Sequence, residues 1–225
     1  MEQKHTPPQP SSLKELPVCI QINGEFAAEF ACTPHALEDL ALGWVATSVG
    51  LQAVSSVKNI TVNWQTGSIL LEMTGTDWKQ RASFSQSVLQ AVAQQEDTKG
   101  IVSEDMPYSI EQLRSAAEKL NAKRSKGLHG AMLLCGEVHI FREDISRHCA
   151  FDKAVGSAAA AGLNLRQAVL ITTGRISSEF LWKAKQSGLC GLASLKYPSE
   201  TGALLARAWH IPVVRNVLSE QAEKI

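Results

Sequence analysis

Eight of the twelve residues from Arg142 to Lys153 carry ionisable side chains: Arg142, Glu143, Asp144, Arg147, His148, Cys149, Asp152 and Lys153. The chain then runs directly into Ala154–Ala161, which is small and mostly apolar. A surface helix spaces its charges along one outer face, yet Arg147 and His148 are adjacent and diverge by about 100° on a helix. Any fold of this chain must bring a dense patch of charge to the mouth of a tightly packed segment, and something besides solvation must select it.

No global field accompanies that patch. The 22 Lys+Arg residues balance 22 Asp+Glu, so nothing advertises a nucleic acid or a membrane surface as partner, and any anion site has to be local. A chain of 225 residues holds one large domain or two small ones. No apolar run approaches the roughly 20 residues that span a bilayer. Residues Met1–Leu16 are polar, carry Pro7, Pro8 and Pro10, lack the apolar core of a secretory signal, and read as a disordered arm. Five cysteines, an odd number without paired spacing, fit a reduced cytoplasmic protein.

Residues 17–108 read as a hairpin-and-helix part, and 109–225 as an α/β domain. Pro17–Ile22 and Glu25–Cys32 flank Asn23-Gly24, the favoured two-residue hairpin turn. Thr33-Pro34 has the form of an N-cap followed by proline at the first helical position, with Leu37, Leu40, Ala41 and Trp44 at helical spacing behind it. A second hairpin is expected from Val57–Trp64 and Ser68–Met73, a weak helix over 83–95 and a loop over 96–107. Ser109-Ile110-Glu111-Gln112 forms a capping box. Beyond it, strands at Ala131–Leu134, Val138–Phe141, Ala168–Thr172, Leu189–Leu195 and Ile211–Val217 alternate with helices at Ser146–Ala161, Ser177–Ser187 and Glu200–Trp209. That alternation predicts an α/β fold whose sheet is mixed but mostly parallel, with helices on both faces.

In open α/β sheets, ligands sit at the carboxyl ends of strands, beside the following helix N-termini. Three junctions here are basic: Arg142, Arg147 and His148; Gly174-Arg175; and Lys196. A cation in a helix first turn works against the macrodipole by about 0.3–1 kcal/mol, so Arg147 and His148 point to a nearby anion, with Asp144 as a partly compensating cap. An ion network joining Glu143 and Asp144 to Arg147 and Lys153 would also explain the segment. Thr172-Thr173-Gly174-Arg175 offers hydroxyls, close backbone approach and a guanidinium, a set suited to phosphate. His129, between Gly127 and Gly130, precedes the strand pair that feeds the charged segment. A zinc site is disfavoured because no Cys-x-x-Cys exists to complete one. Of the cysteines, Cys149 is the best thiolate candidate, in a helix first turn beside two cations.

These residues resemble the FdhD family of formate dehydrogenase accessory proteins, sulfur carriers for the molybdenum cofactor. Lys126-Gly127-Leu128-His129-Gly130-Ala131 resembles the family's Gly-Gly-x-His-x-Ala. Glu143–Lys153 matches Glu-Asp-Ile-Gly-Arg-His-Asn-Ala-x-Asp-Lys except at Ser146 and Cys149. Gly174-Arg175-Ile176-Ser177-Ser178-Glu179 and Lys183-Ala184 follow its Gly-Arg-x-Ser-x-Glu region. Ile22-Asn23-Gly24-Glu25, Thr33-Pro34 and Leu40-Ala41-Leu42-Gly43 extend the likeness through the N-terminal half. Two departures stand out. The family's sulfur-carrying Cys-x-x-Cys is absent, since residues 75–108 contain no cysteine. At the C-terminus only Val213-Val214-Arg215-Asn216 stands for a Gly-Phe-x-Arg-type segment.

The resemblance implies a cytidine-deaminase-like main domain without zinc and a pocket for the bis-molybdopterin guanine dinucleotide form of the cofactor, with GDP as a partial mimic. It implies contacts from Arg147, His148, Lys153 and Arg175, orientation of these cations by Asp144 and Asp152, and His129 and Gly174 lining the pocket, with Lys196 and Arg215 as secondary contacts. It further implies a cysteine desulfurase and formate dehydrogenase apoenzyme as partners and a homodimer. Three functions are expected in turn: a sulfur-passing maturation factor, a cofactor-binding chaperone that has lost sulfur transfer, and a divergent nucleotide-binding protein.

Overall fold

A computed structural model describes residues 14–75, 77–79, 84–93 and 106–225; the expected arm before residue 14 and most of the 96–107 loop lie outside them. The chain forms two mixed sheets. β1 (Leu16–Ile22) and β2 (Glu25–Cys32) make the expected hairpin. Asn23 and Gly24 at its turn have φ of 50° and 83°, the positive pair that a two-residue turn matched to strand twist requires. β3 (Val57–Asn63) and β4 (Ser68–Met73) form the second hairpin, and β4 lies parallel to β1, giving the order β2-β1-β4-β3. Val18, Ile20 and Ile22 point to one face and are buried with Ile69 and Leu71.

That face is covered by α1 (Leu37–Trp44), which buries Leu37, Leu40, Ala41 and Trp44 as their spacing predicts. Its start differs from expectation. Thr33 does not cap it; the helix begins after Ala36, which sits at φ 49° with no side-chain cap. Thr33 is unavailable because its amide and hydroxyl both donate to Asp144 Oδ2, at 3.1 and 2.7 Å. A π-helical turn, Val45–Val49, and a 3-10 turn, Leu51–Ser56, lead on to β3.

After α2 (Phe84–Ala93) and α3 (Ile110–Lys123), the latter opened by the Ser109–Gln112 capping box, the second sheet assembles. Its strands are β5 (His129–Cys135), β6 (Val138–Asp144), β7 (Val169–Thr172), β8 (Gly191–Ser194), β9 (Val213–Arg215) and β10 (Glu223–Lys224), in the order β10-β9-β8-β7-β5-β6. α4 (Arg147–Ala160), α5 (Ser178–Ser187) and α6 (Glu200–Ala208) pack on one face and α3 on the other. The mixed α/β fold with helices on both faces is therefore present. In the six-stranded sheet parallel pairing is confined to β7-β8-β9, while β5-β6, β5-β7 and β9-β10 are antiparallel, so the expected majority of parallel pairs is not met. Only β7-β8 and β8-β9 are joined by single helical crossovers, the connection that parallel neighbours need. Among the described residues no helix is long and apolar enough to cross a membrane.

The small residues after Lys153 serve the contact between α1 and α4. A Cβ on Gly156 would lie 1.9 Å from the Asp39 carbonyl oxygen, and one on Gly43 would lie 1.8 Å from that of Asp152. The helices thus touch backbone to backbone, which a larger side chain at either glycine would prevent. Arg142 reinforces this seam, bonding Asp39 at 2.7 Å and Ser157 at 2.6 Å.

Candidate anion-binding site

The sheet topology carries the three basic junctions to one edge. His129 opens β5 opposite Asp144 at the end of β6. Gly130 N–H donates to Thr173 Oγ1 at 3.0 Å, and Thr173 N–H returns a bond to the Gly130 carbonyl. Arg147 lies across Gly174: a Cβ there would stand 3.1 Å from Arg147 Cδ. Ser194 donates to the Gly174 carbonyl at 2.7 Å and accepts from the Lys196 amide at 2.9 Å. Lys196 in turn accepts from Asn216 N–H at 3.2 Å. One continuous rim therefore carries His129, Arg147, His148, Gly174, Arg175 and Lys196.

Arg147, Arg175 and Lys196 are exposed, and among the described residues none forms an ion pair. His148 is half-buried. Its Nε2 accepts from Arg147 Nε at 3.3 Å, so its proton resides on Nδ1, which is buried and has no hydrogen-bond partner. Glu179 Oε1 stands 3.3 Å from that atom but out of line for a bond. Burial, then the charges of Lys183 and Arg147, hold the His148 pKa down to about 4, so the ring is neutral at pH 7. Burial and then Arg147 and Arg124 likewise lower His129. The Ser177 hydroxyl, at the N-cap of α5, is also buried without a partner. Two exposed guanidiniums, an ammonium, neutral imidazoles and an uncapped helix N-terminus form a set that can hold phosphate oxygens.

Several expected members fall elsewhere. Lys153 and Asp144 are fully buried and bound to one another at 2.5 Å. Lys153 also donates to the Thr33 carbonyl and hydroxyl, at 2.9 and 3.2 Å, which completes its three donors and leaves it nothing to offer a ligand. Asp144 is no helix cap either: Ser146 caps α4 by accepting from Cys149 N–H, while Asp144 Oδ1 takes the Ser146 amide at 2.8 Å. Asp152 serves Lys183, at 2.7 and 2.9 Å, and Thr47, at 2.8 Å, and bonds none of the rim cations. The expected ion network thus exists in part, but inside the protein: Glu143 takes Ser125 rather than Arg147. Arg215 is committed to Glu223 and lies 5.3 Å from the Tyr197 ring, so its charge is already compensated. Cys149 is buried in contact with Cys32, and that contact and burial drive its thiol pKa upward, the reverse of an activated thiolate.

Thr47 leaves no sequence signal, and Lys183 enters only through the Lys183-Ala184 match, because their partner, Asp152, lies 105 and 31 residues away. Ser177 and Glu179 fall within a motif already quoted, and the hydroxyl directly before the α5 helix was the available signal for the former.

The geometry can be compared with known proteins. A sequence profile of the FdhD/NarQ family matches residues 13–223. The sulfur carrier protein FdhD of Methanothermobacter thermautotrophicus is 25% identical over 195 residues, 84% of this chain and 79% of that protein. The sulfur carrier protein FdhD of Staphylococcus aureus is 28% identical over 218 residues, 89% of this chain and 81% of the relative. In fold, the chain is similar to the crystal structure of a proposed formate dehydrogenase accessory protein from Desulfotalea psychrophila, with a TM-score of 0.74 and 20% identity over 94% of this chain and 86% of that one.

Proposed function

Because the chain belongs to the FdhD/NarQ family, we propose that it is a formate dehydrogenase accessory protein that binds the guanine dinucleotide form of the molybdenum cofactor at this rim and hands it on without sulfurating it, with the formate dehydrogenase apoenzyme as its client. The observation that carries the reading is the gathering of Arg147, Arg175 and Lys196, exposed and free of ion pairs among the described residues, at the carboxyl ends of β6, β7 and β8. Arg147 and Arg175 would clamp phosphate oxygens through their planar donor forks, Thr173 and Gly174 would bring backbone close to the ligand, neutral His129 would supply a donor without further charge, and His148 Nε2 would steady the Arg147 guanidinium. The cofactor supplies the redox chemistry of the client enzyme; the residues here bind and orient it.

GDP tests the phosphate clamp. Arg175→Ala should weaken GDP binding by about 1.5–3 kcal/mol, the contribution of a charged hydrogen-bond partner, while Lys153→Met should leave the affinity of whatever folded protein remains unchanged. Equal GDP affinity in wild type and Arg175→Ala by calorimetry sinks the assignment.

The absence of sulfur transfer rests on the thiols. A carrier cysteine needs an accessible, readily ionised sulfur. Cys32 and Cys149 are buried, and the others are partly buried, within β1, at the end of β5 and just before β8. Burial raises the pKa of Cys190 to about 11. Incubation with a cysteine desulfurase and cysteine should therefore add no 32-Da sulfur to the intact protein. A persulfide on any of the five cysteines restores the carrier function shared by the named relatives.

A further inference from the structure

We propose that a second anion site, for a small free phosphate-bearing ligand, lies at the opposite edge of the six-stranded sheet, in the pocket bounded by Arg166, Lys185, Trp209 and His210. The pocket encloses about 340 Å³ and is also lined by Cys190. Cys190 directly precedes β8, whereas the rim lies beyond the strand's other end. The four residues of β8 separate the two places by roughly 13 Å at about 3.3 Å per residue.

Three cationic or protonatable side chains face this pocket and no carboxylate does; among the described residues none of the three is ion-paired. The Lys185 ammonium sits 4.5 Å from the centroid of the Trp209 ring, and partial burial lowers its pKa. It is a cation laid on an aromatic face with no carboxylate paired to it among the described residues. The Arg166 stem lies against Gly188, at the end of α5. His210 holds φ 53°, a left-handed conformation that glycine adopts freely and histidine does not. His210 lines the pocket at a position where glycine would also close α6. Complementing helix dipoles accounts for Lys185, in the last turn of α5, but Arg166 belongs to neither α5 nor α6.

The test titrates pyrophosphate by calorimetry into protein carrying Arg147→Ala and Arg175→Ala, which silences the rim. One binding event should survive. Adding Lys185→Gln and Arg166→Gln, both at exposed positions, should weaken it about tenfold or more. His210→Gly should raise the denaturation midpoint by releasing the backbone while it weakens pyrophosphate, a trade that a purely structural His210 does not show; this arm also decides if the glutamine variants misfold. No pyrophosphate binding to the rim-silenced protein, or an affinity untouched by the pocket substitutions, overturns the proposal.

Discussion

Lys153→Ala should destabilise the protein by about 3–5 kcal/mol, the cost of stranding one charge of a buried pair. Asp144 sits at 0% exposure and accepts four bonds, from Lys153, twice from Thr33 and from Ser146. Removing the ammonium leaves a carboxylate with three neutral donors and no counter-charge in a site closed to water. The consequences reach two elements at once, because Thr33 ends the first sheet's hairpin and Ser146 caps α4. A loss of this size is a large share of the roughly 5–15 kcal/mol that holds a typical domain together. Pairing the change with Asp144→Asn should recover part of the loss, since the buried charge disappears; the recovery is partial because the amide oxygen can serve either the Thr33 donors on Oδ2 or the Ser146 amide on Oδ1, not both. Urea denaturation with an unchanged slope measures both effects. A Lys153→Ala midpoint equal to wild type would mean that the pair is not buried as described.

Gly156→Ala should cost about 3 kcal/mol or more, at the upper end of what overpacking inflicts. The added methyl would meet the Asp39 carbonyl at 1.9 Å and the Gly43 amide nitrogen at 2.5 Å. Neither is the movable end of a side chain, so α1 and α4 must separate. Separation stretches the 2.7 Å bond from Arg142 to Asp39 and shifts the first turn of α4, where Arg147 and His148 reside. The same helix offers a control: Ala160→Gly, in the exposed last turn, should cost about 1 kcal/mol or less. Thermal unfolding of the two variants should therefore diverge widely, and similar midpoints would contradict the backbone contact.

These two expectations mark the boundary of what was legible in the chain. Local signals carried through: Asn23-Gly24 specified its turn, Ser109–Gln112 capped α3, and the strand–helix alternation after Ala168 placed Gly174-Arg175 and Lys196 on one sheet edge. The charged segment was recognisable, but its division into an outer and an inner half was not. Arg147 points outward and Lys153 inward because α1 packs across α4, and that contact depends on residues more than a hundred positions earlier, Asp39 and Gly43. Thr33 departs from its expected role for the same reason. Its local context is that of an N-cap, yet a carboxylate 111 residues away claims both of its donors. Short-range pattern decided the elements, and long-range pairing decided which ionisable side chains remained available to a ligand.

That partition leaves Arg147 and Arg175 as the residues on which binding depends most. The direct measurement is pterin and metal analysis of protein purified from a host that makes the molybdenum cofactor, comparing wild type with the Arg147→Ala, Arg175→Ala double variant. Guanine-dinucleotide pterin should copurify with the wild type and be lost from the variant while its fold persists. Absence of pterin from the wild type, or equal retention by both proteins, would contradict a cofactor site at this rim.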